Sequence, residues 1–247
     1  MLLEQLIFFP EAFVPPAPDG VEERWITAED GVRLHAWYAR AAPEVATLLW
    51  SHGNGGNIAG RVEVLLALRD RGLSVLAYDY RGYGRSEGRP SEAGCYRDAR
   101  AAYDDVRARG VDPATMLCFG ESLGGAVSIH LACERPCAGV AVVSTFTSLH
   151  DVARAHYGAL AALAGRRFDS LSRVRLLQVP VLVAHGDVDE LVPFALGEEL
   201  YAAAPEPKRF FRAAGAHHND VFGAPGLLDA VAEFARFAVD QSRRPRS

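Results

Sequence analysis

Gly120-Glu121-Ser122-Leu123-Gly124 matches the pattern Gly-x-Ser-x-Gly, and it stands between a strand-like run, Thr115–Phe119, and a helical run, Ala126–Cys133. A sharp turn from a strand into a helix leaves no room for side chains at either glycine. Such a turn lifts the serine hydroxyl clear of the sheet, at a helix N-terminus whose dipole favours developing negative charge. The pentapeptide and its setting therefore predict a reactive serine, Ser122, and the alternative is a glycine-rich packing turn with an idle serine.

The rest of the chain alternates strand and helix patterns around this turn. Glu22–Ala28 and Val32–Arg40 read as a hairpin joined at Asp30-Gly31. Short apolar runs typical of buried parallel strands follow at Val45–Ser51, Leu73–Tyr80, Thr115–Gly120, Gly139–Thr145 and Val179–His185, with a last strand at Lys208–Arg212. Helical patterns occupy 59–71, 91–110, 122–134 and 148–164, one begins at Pro193, and one closes the chain. We expect an α/β fold with about eight strands, mostly parallel after the antiparallel hairpin, and with helices on both faces.

One domain accounts for most of the 247 residues. Prolines at 10, 15, 16 and 18 predict an irregular N-terminal arm over 1–20, followed by a single α/β domain over 21–247. Within that domain, 148–178 is too short for a full cap and predicts a partial one.

Charge and composition exclude several classes of function. The net charge is −5 and the 26 basic residues are scattered, so no nucleic-acid surface is indicated. Four cysteines do not make a disulfide framework in a chain of this length, and Cys133 and Cys137 lack a second ligand pair for zinc. The sequence therefore predicts a reduced, cytoplasmic setting.

The apolar start, Met1 to Pro10, has no basic region or small-residue cleavage site, so it does not resemble a signal peptide. It is also shorter than the roughly 20 residues that a membrane span needs. Weak peripheral membrane contact through Leu6 to Phe9 remains a hypothesis, and the sequence leaves the oligomeric state open.

Reactive side chains follow the ends of the predicted strands, where open α/β sheets bind ligands. A serine needs a base, and in this type of fold the chain order is serine, then acid, then histidine. Asp187 and Asp189 are the candidate acids, and His217 and His218 are the candidate bases.

Five segments together resemble α/β-hydrolase-fold serine hydrolases: His52-Gly-Asn-Gly-Gly-Asn57, Asp79-Tyr-Arg-Gly-Tyr-Gly-Arg-Ser86, Gly120 to Gly125, His185-Gly-Asp-Val-Asp-Glu-Leu-Val-Pro193 and His218-Asn-Asp220. The closest likeness is to the compact, lidless branch that includes protein depalmitoylases and bacterial hydrolases. The resemblance implies a catalytic triad of Ser122, Asp189 and His218, with Asp187 as a turn residue.

The same resemblance implies an oxyanion hole made by the backbone N–H of Asn54, together with that of Leu123, the residue after the nucleophile. The family's usual glycine before the base is replaced by His217, which would narrow the mouth of the site or add a titrating group. The implied reaction is cleavage of a carboxylic ester or thioester through an acyl-enzyme, with no cofactor and no metal.

Two other functions remain as alternatives. A metal-dependent hydrolase would use the His185, Asp187, Asp189, His217, His218 and Asp220 cluster. A non-catalytic α/β-hydrolase scaffold would bind without turnover. The glycines of Gly82-x-Gly84-x-x-Glu87 do not complete a dinucleotide fingerprint, so no nucleotide cofactor is indicated.

A mostly apolar, fairly open substrate pocket is predicted, lined by Phe146, Leu191 and Val192 at neighbouring strand ends and by Tyr157 from the partial cap. His150 to Gly165, with Leu160 and Leu163, predicts a helix over that pocket. The sequence places no arginine there to hold a charged acyl group. We therefore expect short or medium acyl esters or thioesters as substrates.

Overall fold

A computed structural model describes residues 7–158 and 165–244. It contains an eight-stranded sheet and a separate two-stranded pair. The strands are β1 (Phe9–Pro10), β2 (Val21–Thr27), β3 (Arg33–Ala39), β4 (Ala46–Ser51), β5 (Gly55–Gly56), β6 (Leu73–Tyr78), β7 (Met116–Glu121), β8 (Gly139–Val143), β9 (Val181–Gly186) and β10 (Lys208–Ala213). The large sheet has the order β10-β9-β8-β7-β4-β6-β3-β2.

Strand direction confirms the mostly parallel fold expected from the sequence. β3 is antiparallel to β2, as the Asp30-Gly31 turn predicts, and it is also antiparallel to β6. The other pairs, from β6 through β4, β7, β8 and β9 to β10, are parallel. The carboxyl ends of these parallel strands therefore meet at one edge of the sheet.

Seven α-helices are present in the described ranges: α1 (Val62–Arg69), α2 (Glu92–Ala108), α3 (Leu123–Glu134), α4 (Leu149–Tyr157), α5 (Ser170–Val174), α6 (Phe194–Ala203) and α7 (Leu227–Ser242). A short 3-10 helix, Ile58–Arg61, leads into α1. Within the described ranges, no helix combines the length and the apolar character that a membrane span requires.

The apolar core has two layers, one on each face of the sheet. Successive strand residues point to opposite faces, so Met116 and Cys118 pack in one layer while Leu117 and Phe119 pack in the other. Every residue of β4, β6, β8 and β9 is buried, which explains why their sequences are continuous apolar runs rather than alternating ones.

The strand and helix predictions differ from the structure mainly at element ends. The run Leu73–Tyr80, for example, ends as a strand at Tyr78. The helix expected over 148–164 is observed as α4, and Leu160 and Leu163 lie outside the described residues. The sequence pattern did not indicate α5, a helix of five residues, or the β1–β5 pair.

Candidate active site

Ser122 occupies a strained turn between β7 and α3. Its φ of 51° and ψ of −116° lie in a region that non-glycine residues rarely adopt. A Cβ atom at Gly120 would collide with the carbonyl oxygen of Gly124, and one at Gly124 would collide with the carbonyl oxygen of Ser51. Both glycines are therefore required by close backbone packing, as the Gly-x-Ser-x-Gly pattern predicts.

His218 lies between Ser122 and Asp189. Its Nε2 is 3.1 Å from the Ser122 Oγ, and its Nδ1 is 2.7 Å from Oδ2 of Asp189. With the Nδ1–H donating to the carboxylate, Nε2 is free to accept the serine hydroxyl proton. Three residues that are far apart in the chain thus form one hydrogen-bonded line at the carboxyl edge of the sheet.

Asp189 is held in the ionised form by its hydrogen bonds. Burial raises the pKa of this carboxyl, but contacts with His185 and His218 and the backbone N–H of Val192 outweigh burial and hold the pKa well below its usual range. Oδ1 accepts from the N–H groups of Leu191 (2.9 Å) and Val192 (2.8 Å). The carboxylate is therefore negatively charged at neutral pH and fixed in position.

The other candidate acid, Asp187, and the other candidate base, His217, do not join this hydrogen-bonded line. Asp187 pairs with Arg212 (2.9 Å) and accepts the backbone N–H of Gly215 (2.6 Å), so it holds a turn. His217 is exposed, with its Nδ1 2.8 Å from Glu190 Oε2. It is not among the residues that line the cavity beside Ser122, so the expectation that it narrows the mouth is wrong.

The loop after β4 lies against the nucleophile and carries Asn54. The Asn54 side chain donates to the carbonyl of Ile7 and accepts from the Tyr83 hydroxyl (2.9 Å). Leu123 is the first residue of α3, so its N–H has no carbonyl partner within the helix. Asn54 and Leu123 both line the cavity beside Ser122.

An ion pair that the sequence analysis missed lies next to the nucleophile. The guanidinium of Arg61 contacts the Glu121 carboxylate through Nη2 (3.2 Å) and Nε (3.3 Å), and it also donates to the carbonyl of Gly55 (2.8 Å). Both side chains line the cavity, and the guanidinium of Arg61 is occupied by Glu121. The two residues are 60 positions apart, and no spacing rule connects them.

The cavity beside Ser122 has a volume of about 890 Å³. All four residues predicted for the pocket line it: Phe146 and Val192 are buried, and Tyr157 and Leu191 are exposed. Additional apolar lining comes from Ile7, Phe9, Leu149, Val152 and Ala153. A cavity of this size and composition suits a small apolar ligand.

The six residues of the metal-dependent alternative do not form one cluster: His185 and His218 both contact Asp189, and the other three have other partners. His217 pairs with Glu190, Asp187 with Arg212, and Asp220 accepts the backbone N–H of His217 (2.6 Å). Among residues 7–158 and 165–244, no group of three or more His, Cys, Asp or Glu side chains is placed to hold a metal ion.

Comparison with known proteins gives both a family and a fold. The family model Hydrolase_4, described as "Serine aminopeptidase, S33", matches residues 42–173. The uncharacterized protein Rv2307c of Mycobacterium tuberculosis is 41% identical over 241 residues, which cover 93% of this chain and 86% of that protein. The uncharacterized protein YfhR of Salmonella typhi is 34% identical, with 91% of this chain and 84% of that protein covered.

Solved structures of low sequence identity share the fold. The esterase domain of a Rhodothermus marinus protein superposes with a TM-score of 0.71 at 23% identity, covering 89% of this chain and 99% of that one. The Pyrococcus furiosus esterase Pf2001 gives 0.76 at 19% identity, covering 94% and 99%. On the family model and the sequence relatives together, the chain belongs to the Hydrolase_4 family of α/β hydrolases.

Proposed function

We propose that this protein is a serine hydrolase that cleaves uncharged carboxylic esters or thioesters through an acyl-enzyme intermediate. The observation that carries the proposal is the placement of His218 between Ser122 (3.1 Å) and Asp189 (2.7 Å) beside an apolar cavity. A serine hydroxyl becomes a useful nucleophile when a base within hydrogen-bond reach takes its proton.

In the acylation step, Ser122 Oγ attacks the carbonyl carbon while His218 Nε2 takes the hydroxyl proton. The negative charge of Asp189 stabilises the imidazolium that forms. The tetrahedral intermediate then collapses, the bond to the alcohol or thiol breaks, and His218 returns its proton to that leaving group.

In the deacylation step, a water molecule takes the place of the leaving group. His218 removes one proton from the water as its oxygen attacks the acyl-serine carbonyl, and the same proton returns to Ser122 Oγ when the ester bond breaks. The products are the free acid and the regenerated serine.

The developing oxyanion would be stabilised by the backbone N–H groups of Leu123 and Asn54. Removal of one such donor from a serine hydrolase costs about 3–4 kcal/mol of transition-state stabilisation. The dipole of α3, which begins at Leu123, contributes in the same direction.

The charges around the cavity favour a neutral substrate. An aminopeptidase, the activity in the family model's description, must bind the positively charged amino terminus of its substrate. Glu121 is the carboxylate among the described cavity-lining residues, and it is already paired with Arg61. With both charges neutralised and a largely apolar wall, an uncharged acyl group is the better match.

A screen of p-nitrophenyl esters from acetate to laurate, and of the matching acyl thioesters, tests this proposal with Ser122→Ala as the control. We expect turnover that Ser122→Ala removes, and covalent labelling of Ser122 by a fluorophosphonate. Failure of folded protein to label or to turn over would favour the non-catalytic scaffold. Turnover that survives Ser122→Ala and is lost with a chelator would favour the metal-dependent alternative.

A further inference from the structure

We propose that the N-terminal strap, residues 7–11, is a working part of this active site. It would hold the oxyanion loop, residues 52–57, in register with Ser122, and Phe9 would form a wall for the substrate's acyl chain. This inference rests on the proposed function.

The strap and the oxyanion loop are joined along their backbones. Phe9 and Pro10 pair in parallel with Gly55 and Gly56, and the N–H of Glu11 donates to the carbonyl of Gly56 (3.2 Å). These contacts bring together segments 46 residues apart in the chain. This short strand pair lies next to the nucleophile and would hold the oxyanion loop in place.

Two asparagine side chains close this pair at both ends. Asn54 donates to the carbonyl of Ile7 at one end. Asn57, a buried residue, donates to the carbonyl of Glu11 (3.0 Å) at the other. The loop between them is Gly55-Gly56, which has no side chain with which to fix itself, so its conformation depends on outside partners.

The position of the loop matters because Asn54 supplies a proposed oxyanion donor. A donor contributes only when it points at the place where the negative charge develops, and loss of one lowers kcat about 10²- to 10³-fold. The strap therefore acts on catalysis through Asn54, and Asn54 itself has a positioning role through its side chain in addition to its backbone N–H.

Phe8 and Phe9 have different roles in the strap. Neighbouring residues of an extended segment point in opposite directions. The Phe8 ring is buried against Tyr83 and Phe168, which anchors the strap to the core. The Phe9 side chain is 61% exposed and lines the same cavity as Ser122.

Phe13 provides a matched control. It is also an exposed phenylalanine of the N-terminal arm, 74% exposed, but it is not among the cavity-lining residues. A peripheral membrane role for the arm would use both rings alike. A role in the substrate site would use Phe9 alone.

The first experiment compares kcat/KM for p-nitrophenyl acetate and p-nitrophenyl octanoate in the wild type, Phe9→Ala and Phe13→Ala. We expect Phe9→Ala to lower the octanoate-to-acetate ratio about tenfold, because apolar contacts with the longer chain are lost. Phe13→Ala should leave the ratio within about twofold. An unchanged ratio in Phe9→Ala, or an equal fall in both variants, would overturn the assignment of Phe9.

The second experiment measures kcat and KM separately for Asn54→Ala, which keeps the backbone N–H and removes the tie to Ile7. We expect kcat to fall at least about tenfold on both esters while KM stays within about threefold, as a transition-state effect requires. Asn54→Asp, which keeps an acceptor for Tyr83 and lacks the donor, replaces it if the melting temperature falls by more than about 5 °C. An unchanged kcat would show that the strap does not position the oxyanion loop for catalysis.

The two proposals fail in different ways. If wild-type hydrolysis is absent or survives Ser122→Ala, the proposed function is wrong. If hydrolysis depends on Ser122 and yet the Phe9 and Asn54 variants behave like the wild type, only the role of the strap is wrong.

Discussion

The carboxylate of Asp189 is completely enclosed by protein and lies 2.7 Å from Nδ1 of His218, whose ring is partly open to solvent. The buried charge of Asp189 and the partly exposed ring of His218 therefore determine which side of the imidazole can exchange a proton. A carboxylate whose pKa lies well below the usual range does not take up the imidazole proton. In the proposed mechanism, His218 therefore exchanges its proton with Ser122 on the other side of the ring.

The first prediction concerns the histidine doublet. Ser122→Ala and His218→Ala should each lower kcat by about 10⁴-fold or more, because each removes a member of the proposed triad. His217→Ala should change kcat by less than about twofold, because His217 pairs with Glu190 outside the cavity. Steady-state kinetics on one ester are sufficient, and an exchange of the two histidine phenotypes would place the base at His217.

The second prediction concerns the His217–Glu190 pair. The hydrogen bond with Glu190 raises the pKa of His217 above its ordinary value of 6.5. Glu190→Gln removes the negative charge, so we expect the pKa of His217 to move down, as measured by NMR titration of the imidazole C–H signals. Ester turnover should not change. An identical titration curve in the variant would show that the pair is not formed in solution.

The third prediction concerns acid stability and His52. Burial, followed by the charge of Arg61, lowers the pKa of His52 to about 4, and Asp79 only partly opposes this. Between pH 6.5 and 4 the unfolded chain binds a proton that the folded protein excludes, so the free energy of unfolding falls as the pH falls.

This contribution should amount to about 3 kcal/mol when the pH falls from 7 to 4. Urea denaturation of the wild type and His52→Gln across that range measures it, because the variant lacks the titrating group. As the pH falls, the free energy of unfolding of the wild type should decrease relative to that of His52→Gln. A difference that does not vary with pH would contradict the low pKa.

The fourth prediction concerns the strained turn. At a φ of 51° and a ψ of −116° a side chain costs about 1–3 kcal/mol. Glycine relieves that strain but loses more conformational entropy on folding, which offsets part of the gain. Ser122→Gly should therefore be about 1 kcal/mol more stable than Ser122→Ala in urea denaturation. Equal or lower stability would show that the turn stores little strain.

The sequence predicted those parts of the site that depend on strand ends. Ser122, Asp189 and His218 each follow a strand of the parallel part of the sheet, so the topology alone brings them to one edge. Their order in the chain left two candidate acids and two candidate bases, and the resemblance to α/β-hydrolase motifs assigned these roles to Asp189 and His218.

The parts that the sequence did not predict are contacts between loops. The Arg61–Glu121 pair and the ties from Asn54 to Ile7 and Tyr83 involve residues at no fixed spacing. The strap forms only two residues of strand, too few to produce a periodic pattern. Loop-to-loop contacts follow from the assembled fold, and a pattern along the chain does not encode them.

The docking of Ile7 at the cavity has a practical consequence for handling the protein. A label or cross-linker attached at residues 7–11 would lie beside the cavity and would perturb measured specificity. The end of α7 is better suited: Ser242, its last residue, donates to the carbonyl of Ala114, just before β7 begins, at the opposite edge of the sheet from Ser122. Labels and surface attachment for kinetic assays therefore belong near the end of α7.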